Sequence, residues 1–172
     1  MINFRRARIE DAEDIHRVNM TSIRELCTSD YTKEEIEAWG GRTPEKMVPL
    51  WRERVQKDFC IVAEKSGVVE GIGVLALPKE AGKPALIYMM YLTKAISGTG
   101  SGKKMMKMML DHAKENGVKE VVLESSLTAH GFYESLGFCD SGAAIKKEIN
   151  GTPIRCVPMK IKINPPTDQE IE

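Results

Sequence analysis

Ser97-Gly98-Thr99-Gly100-Ser101-Gly102-Lys103 stands between an almost wholly apolar run, residues 85–93, and a methionine-rich stretch. The reading of this turn decides the fold. The run before it predicts a central strand buried on both faces. After it, Met105, Met106, Met109, Leu110 and Ala113 recur at helical spacing and form one apolar stripe, which Asn116-Gly117 ends. A strand, a glycine-rich turn and a helix in that order outline an anion site. Successive backbone N–H groups point outward there, and the helix N-terminus carries about half a positive charge. The plain alternative is a flexible strand–helix connection. Three glycines at alternate positions directly before a strong helix favour the site.

Two familiar phosphate loops fit poorly. A nucleotide P-loop needs G-x-x-x-x-G-K-[ST], but Ser97 replaces its first glycine and Lys104 its magnesium-holding hydroxyl. The dinucleotide fingerprint G-x-G-x-x-G differs in spacing, and no acidic residue follows at the right distance.

A third pattern fits. Ser97-x-x-Gly100-x-Gly102 resembles the Q/R-x-x-G-x-G/A pyrophosphate loop of the GNAT acetyltransferase superfamily, with serine in place of the usual Gln or Arg. Downstream, Thr128-Ala129-His130-Gly131-Phe132-Tyr133-Glu134-Ser135-Leu136-Gly137-Phe138 is similar to the superfamily's N-A-x-x-F-Y-x-x-x-G-F segment. The opening Phe4-Arg5-Arg6-Ala7-Arg8-x-x-Asp11-Ala12-x-x-Ile15 and the strand around Cys156–Met159 extend the likeness over about residues 2 to 163. Tyr31-Thr32-x-Glu34-Glu35-Ile36-x-Ala38-Trp39 is similar to one uncharacterised branch. The resemblance implies an α/β domain of α+β type, with a mixed, mostly antiparallel sheet of about seven strands flanked by helices. Its fourth and fifth strands are expected to splay.

Working outward, residues 3–7 predict a first strand, and Asp11 opens a helix with Ala12, Ile15, Val18, Ile23 and Leu26 on its inner side. Thr32-Lys33-Glu34-Glu35 is a capping box for a helix over residues 34–39 that stops at Gly40-Gly41. Thr43-Pro44 starts a third, with Met47, Trp51 and Val55 inward. Residues 59–64 and 68–77 predict a hairpin, where Gly71 and Gly73 suggest close approach by another backbone. Residues 118–126 predict another buried strand and 128–136 a short helix. Residues 143–149 and 152–163 flank Asn150-Gly151, a strong hairpin turn. One domain over 1–163 is expected, with a disordered polar tail at 164–172.

Composition narrows the partners. Lys+Arg 25 and Asp+Glu 25 cancel, so no basic field exists for nucleic acid or an anionic membrane. No apolar run reaches the roughly 20 residues of a membrane span. Cys27, Cys60, Cys139 and Cys156 lack C-x-x-C spacing; three lie in strand-like stretches and read as buried free thiols. These features suggest a reducing, cytoplasmic setting. No histidine pair has ligand spacing, so no metal is expected, and His16 and His112 read as solvated. Oligomeric state stays open, a homodimer included.

The resemblance implies acetyl-CoA as co-substrate and an amine acceptor, either a small molecule, a peptide or a protein N-terminus. It assigns the cofactor to Tyr91, Leu92 and Thr93 through backbone, to Ser97, Gly98, Thr99, Gly100, Ser101, Gly102 and Lys103, and to Thr128 and Tyr133. Amide formation needs a neutral amine, and a lysine-like amine costs about 4.6 kcal/mol to deprotonate at pH 7. A departing thiolate needs a proton, which a phenol can supply. Tyr133 is assigned as that acid, against the alternative of a ring anchoring the core. Glu124, a carboxylate among Val121, Val122 and Leu123, is the candidate base or a structural hydrogen-bonding group. Tyr31, Trp39 and Tyr88 are candidate acceptor contacts; Trp39 and Trp51 also fit as core. Three functions remain: an acetyltransferase, an acyl-CoA sensor with little catalysis, and a P-loop-like phosphotransferase.

Overall fold

The computed structural model describes residues 1–164 and joins eight strands in one sheet. After β1 (Ile2–Arg6) and a short 3-10 turn come three helices: α1 (Ala12–Leu26), α2 (Lys33–Gly40) and α3 (Pro44–Lys57). Strands β2 (Phe59–Lys65), β3 (Val68–Ala76) and β4 (Ala85–Leu92) follow, then α4 (Ser101–Glu115) and β5 (Glu120–Ser126). The chain ends with α5 (His130–Ser135), β6 (Cys139–Asp140), β7 (Ile145–Ile149) and β8 (Thr152–Lys162). Spatial order is β1-β2-β3-β4-β5-β8-β6, with β7 also on β8. Every pairing is antiparallel except β4–β5.

The strand count is eight where about seven were expected, because the last edge is broken. β6 pairs with Met159 and Lys160 of β8, whereas β7 pairs with its first half, Thr152 to Cys156. Local signals are met closely. Thr32 Oγ1 accepts from the Glu35 N–H at 3.2 Å, and Glu35 Oε2 accepts from the Thr32 N–H at 2.8 Å, closing the capping box. Asn150 and Gly151 take φ of 49° and 77°, the left-handed pair that a two-residue hairpin turn requires.

The sheet separates two apolar layers. Ile61, Ala63 and Leu75 pack with Met105, Met106 and Met109 of α4. Cys60, Val62 and Val74 pack with Ile15 and Val18 of α1 and Trp51 of α3. Gly71 and Gly73 admit side chains of α4 and of the turn before it rather than another backbone. A Cβ at Gly71 would meet Ile96 Cδ1 at 3.0 Å, and one at Gly73 would meet the Met109 sulfur at 3.1 Å.

β4 carries a bulge. Val74 pairs with Met89 and Leu75 with Ile87, so Tyr88 has no opposite residue. The extra residue shifts the alternation: Ile87 packs in the α4 layer, yet Met89 packs in the α1–α3 layer. The expected burial of both faces is corrected, since Leu86 and Tyr88 are exposed. Other side-chain expectations also change. Cys139 is exposed while Cys27, Cys60 and Cys156 are buried thiols. His16 is buried, and His112 stacks on Phe59 with ring centres 3.8 Å apart. Of the expected tail, residues 165–172 lie outside the described residues. Among the described residues no helix is long and apolar enough to cross a membrane.

Candidate functional site

β4 and β5 pair only at Ala85–Val121 and Leu86–Val122, then part. Among the described residues, no strand lies beside the β4 edge facing β5 beyond Leu86. The gap opens into a cavity of about 710 Å³. One wall is β4 from Leu86 to Leu92, and the opposite wall is Leu123, Glu124 and Ser126 of β5. The turn before α4 closes one end, α5 contributes Phe132 and Tyr133, and α1 and α2 close the other end with Asn19, Cys27 and Trp39.

The turn leaves β4 by tying itself back. The Thr93 N–H donates to Glu70 O at 2.9 Å and its hydroxyl to Glu70 Oε2 at 2.5 Å, while Ser97 N–H reaches Thr93 O at 3.0 Å. Gly98 and Gly100 then take φ of 74° and 86°, which side-chain-bearing residues rarely adopt. A Cβ on either would meet no atom within 4 Å, so the space beside them is open. The first helical N–H to find a carbonyl is that of Lys104, on Gly100 O at 3.1 Å. The N–H groups of Ser101, Gly102 and Lys103 therefore have no intrahelical acceptor. No acidic residue occupies this first turn, and Lys103 and Lys104 add charge to its positive end. Such a terminus is unfavourable alone and favourable to an anion.

The structure brings Ser97, Gly98, Gly100, Gly102, Lys103, Tyr91, Leu92, Thr128 and Tyr133 to one cavity wall. Thr93, Thr99 and Ser101 are outside it. Thr93 is held by Glu70, and the Thr99 hydroxyl bonds Ile96 O at 2.6 Å and lies 2.7 Å from the Ser101 hydroxyl. Gly102 sits where α4 meets α5; a Cβ there would lie 3.2 Å from Phe132 Cζ.

Tyr133 is buried between Phe132 and Phe138, with ring centres 5.4 and 5.7 Å away, and still reaches the cavity. Burial, with a smaller contribution from Tyr91, pushes its phenol well above the usual range. It is a neutral donor at any ordinary pH. Tyr91 is likewise pushed up to about 12, chiefly by burial.

Glu124 corrects the expectation of a carboxylate in a buried strand. Its side chain is exposed and ion-paired with Lys147 on β7, because β5 alternates Val121, Leu123 and Ser125 inward. It is nonetheless a cavity-wall residue. Tyr31 lines the same cavity, but its hydroxyl is committed: it donates to Arg155 O at 2.7 Å and accepts from Leu127 N–H at 2.9 Å. Trp39 is buried edge-on to Tyr31 and Tyr91 and also reaches the cavity, so the core and wall readings both describe it. Tyr88 lies against Trp51, with the Arg54 guanidinium 3.9 Å from its ring centre. Thr128 donates to Asp30 Oδ2 at 2.8 Å. His130 is paired with Asp140 at 2.7 Å.

Among the wall residues that sequence reading passed over are Asn19 and Arg42. Asn19 was detectable as a polar residue one helical turn from both Ile15 and Ile23 on the apolar side of α1. Arg42 follows α2 in a link with no periodicity to mark it.

The family model of the acetyltransferase (GNAT) domain matches residues 27–163. N-alpha-acetyltransferase 30 of Schizosaccharomyces pombe is 36% identical over 69 residues, 38% of this chain and 46% of that protein. A glucosamine 6-phosphate N-acetyltransferase of Arabidopsis thaliana is 27% identical over 94 residues, covering 52% of this chain and 63% of the relative. The matched parts thus fall short of two thirds of either relative. Among solved structures, a GCN5-related N-acetyltransferase from Rhodopseudomonas palustris superposes with a TM-score of 0.83 at 22% identity, covering 94% of this chain and 95% of that one. The PaiA N-acetyltransferase from Thermoplasma acidophilum, solved with coenzyme A, gives 0.73 at 20% identity over 95% and 99%. At such identities these structures speak for the fold.

Proposed function

Because the chain belongs to the GNAT acetyltransferase family, we propose that it transfers an acetyl group from acetyl-CoA directly to a primary amine within a ternary complex. The acceptor is a small molecule, a peptide or a protein N-terminus. One observation carries this reading: the glycine turn with Gly102 and Lys103, whose N–H groups are open, and Tyr133 bound the same cavity, where β4 and β5 part.

The residues fit the co-substrate. The space beside Gly98 and Gly100 is free of side chains, and the amides of Ser101 to Lys103 lack helical acceptors, which suits a diphosphate. The unpaired β4 edge at Tyr91 and Leu92 suits an extended amide-bearing arm added like a strand. Acetyl-CoA supplies a thioester whose carbonyl carbon bonds the amine nitrogen as the C–S bond breaks, the amine's proton balancing the thiol. Tyr133 donates a hydrogen bond to the sulfur position and passes its proton there, and the single proton the amine loses, once taken up by the base, restores the phenol. Glu124 is the only carboxylate in the cavity wall among the described residues, and it is the group available to take the amine's proton.

The pairing of Glu124 with Lys147 also favours a second reading, an acyl-CoA sensor with little catalysis. Thermal unfolding with acetyl-CoA, ATP-Mg or NAD tests the ligand. A hundredfold excess over Kd adds about 2.7 kcal/mol, or roughly 5–10 °C for a chain of this size. Acetyl-CoA alone is expected to shift the melt; a shift with ATP-Mg alone overturns the assignment. Release of free thiol across an amine panel separates enzyme from sensor. Tyr133→Phe is expected to lose about 100-fold in kcat, and wild-type rates across pH 6 to 9 would remove the acid role.

A further inference from the structure

The acceptor end of the cavity holds a charge that the protein does not balance. Arg42, in the link from α2 to α3, lines the cavity with Asn19, Trp39, Trp51, Tyr88 and Tyr91. Its Nε donates to Trp39 O at 3.1 Å and its Nη2 to Asn19 Oδ1 at 2.8 Å. A guanidinium has five N–H donors. Three remain, two on Nη1 and one on Nη2, and one from each nitrogen lies along the free Nη1–Nη2 end of the fork. Asn19, wholly buried, and the Trp39 carbonyl hold the adjacent Nε–Nη2 edge in place. Among the described residues no carboxylate stands within ion-pair distance of Arg42, and a charge drawn out of water without a partner is costly.

The surrounding charges are accounted for. Glu124 is paired with Lys147, and Arg155 with Glu35 at 3.3 Å. Lys103 belongs to the anion-binding turn at the other end. His16, packed nearby, is driven toward its neutral form by burial and then by the charges of Arg42 and Arg24. Glu45 is exposed on the first turn of α3 and makes no ion pair with Arg42. The remaining neighbours, Trp39, Trp51, Tyr88 and Tyr91, are uncharged aromatics.

We propose that Arg42 anchors a carboxylate on the acceptor, so that the amines served by this site are amino-carboxylates with an apolar or aromatic body. The inference rests on the acetyl-transfer reading of the cavity. A carboxylate offers two oxygens to one guanidinium edge and a single charge that Arg42 neutralises. A phosphate monoester carries about −1.5 to −2 at pH 7, and among the described residues the acceptor end has no second unpaired cation for it.

Matched pairs test this. Phenylalanine and 4-(aminomethyl)benzoate, each against its own carboxamide, are titrated calorimetrically into CoA-saturated protein, and each is assayed for thiol release with acetyl-CoA. At least one carboxylate is expected to bind about 30-fold tighter than its amide, with the same ratio in kcat/KM. Arg42→Gln should bring that ratio to within about twofold of unity, and Arg42→Lys, which keeps the charge without the fork, should fall between. Equal binding of acid and amide in wild type overturns the proposal. So does a preference that survives in Arg42→Gln, or tighter binding of 2-aminoethyl phosphate than of either carboxylate. If the preference appears in binding while no amine releases thiol, the acetyl-transfer reading fails and the anchor stands. Transfer without preference has the opposite meaning.

Discussion

Replacing Gly100 with alanine separates what the turn before α4 does for folding from what it does for a ligand. Gly100 is the N-cap of α4 at φ 86° and ψ −3°, and a Cβ there meets no atom within 4 Å. The unliganded protein therefore loses no packing, and the cost is backbone strain alone, about 1–2 kcal/mol. Reduced freedom of the unfolded chain offsets part of it, about 0.4–1 kcal/mol. At roughly 2–4 °C per kcal/mol for this length, the melting temperature should fall by only a few degrees. The ligand effect should be larger, because the methyl enters the space that a diphosphate would occupy. Losing one charge-assisted hydrogen bond costs about 1.5–3 kcal/mol, which is at least about tenfold in Kd. At a ligand concentration one hundred times the wild-type Kd, stabilisation by acetyl-CoA should drop from about 2.7 to below about 1.5 kcal/mol. Thermal melts with and without acetyl-CoA measure both quantities in one protein. Gly102→Ala is the contrasting control. Its Cβ would press on Phe132 Cζ at 3.2 Å and Met90 Cε at 3.3 Å, so its loss should appear in the unliganded melt. If Gly100→Ala destabilises the unliganded protein yet keeps the full acetyl-CoA shift, the open space beside Gly100 is not where the phosphates lie, and the reasoning fails.

Other outcomes follow from single contacts. Glu124→Gln should lower kcat at least about tenfold while changing the unfolding free energy measured in urea by no more than about 0.5 kcal/mol, since its pair with Lys147 is exposed; an unchanged kcat assigns the amine's proton to water. Tyr31→Phe removes the bridge between Leu127 N–H and Arg155 O and should destabilise by about 1–3 kcal/mol, measured by urea unfolding at constant m-value; no loss would mean that water replaces the hydroxyl. Alkaline pH supplies a further test. Tyr31 and Tyr91 are each raised by burial to about 12, and Tyr133 is raised as well. Below pH 10 all three are protonated in both states; above it the unfolded chain releases protons that the folded chain retains, so stability falls as pH rises. Each phenol removes up to about 1.4 kcal/mol per pH unit there. Urea midpoints between pH 8 and 11.5 should bend downward near pH 10, less steeply in Tyr133→Phe; identical slopes would place that phenol in water.

Much of this architecture was legible in the chain, and the reasons are local. The Thr32–Glu35 box, the Asn150-Gly151 turn and the methionine stripe of α4 depend on contacts within a few residues, which spacing reports directly. The glycine turn was readable for the same reason: its φ values belong to Gly98 and Gly100 themselves. The exposure of Glu124 was not foreseen because strand neighbours in sequence point to opposite faces, and only the tertiary packing settles which face is covered. The exposure of Tyr88 was out of reach for a related reason. A one-residue bulge opposite Val74 and Leu75 turns it and Met89 toward the same layer, and nothing in the run 85–93 marks the extra residue.

Sequence alone determined most of the segments that become helices and strands, β6 excepted, and pointed to an anion site at the turn into α4, because these depend on backbone preference and short-range pattern. Tertiary structure alone decided that β4 and β5 part after two residue pairs, and that Tyr133 shares the resulting cavity with the turn. It also decided that Arg42 is left without a counter-charge among the described residues. Those outcomes depend on distances between residues far apart in the chain, set by how two apolar layers close around one sheet, and no local pattern encodes such distances.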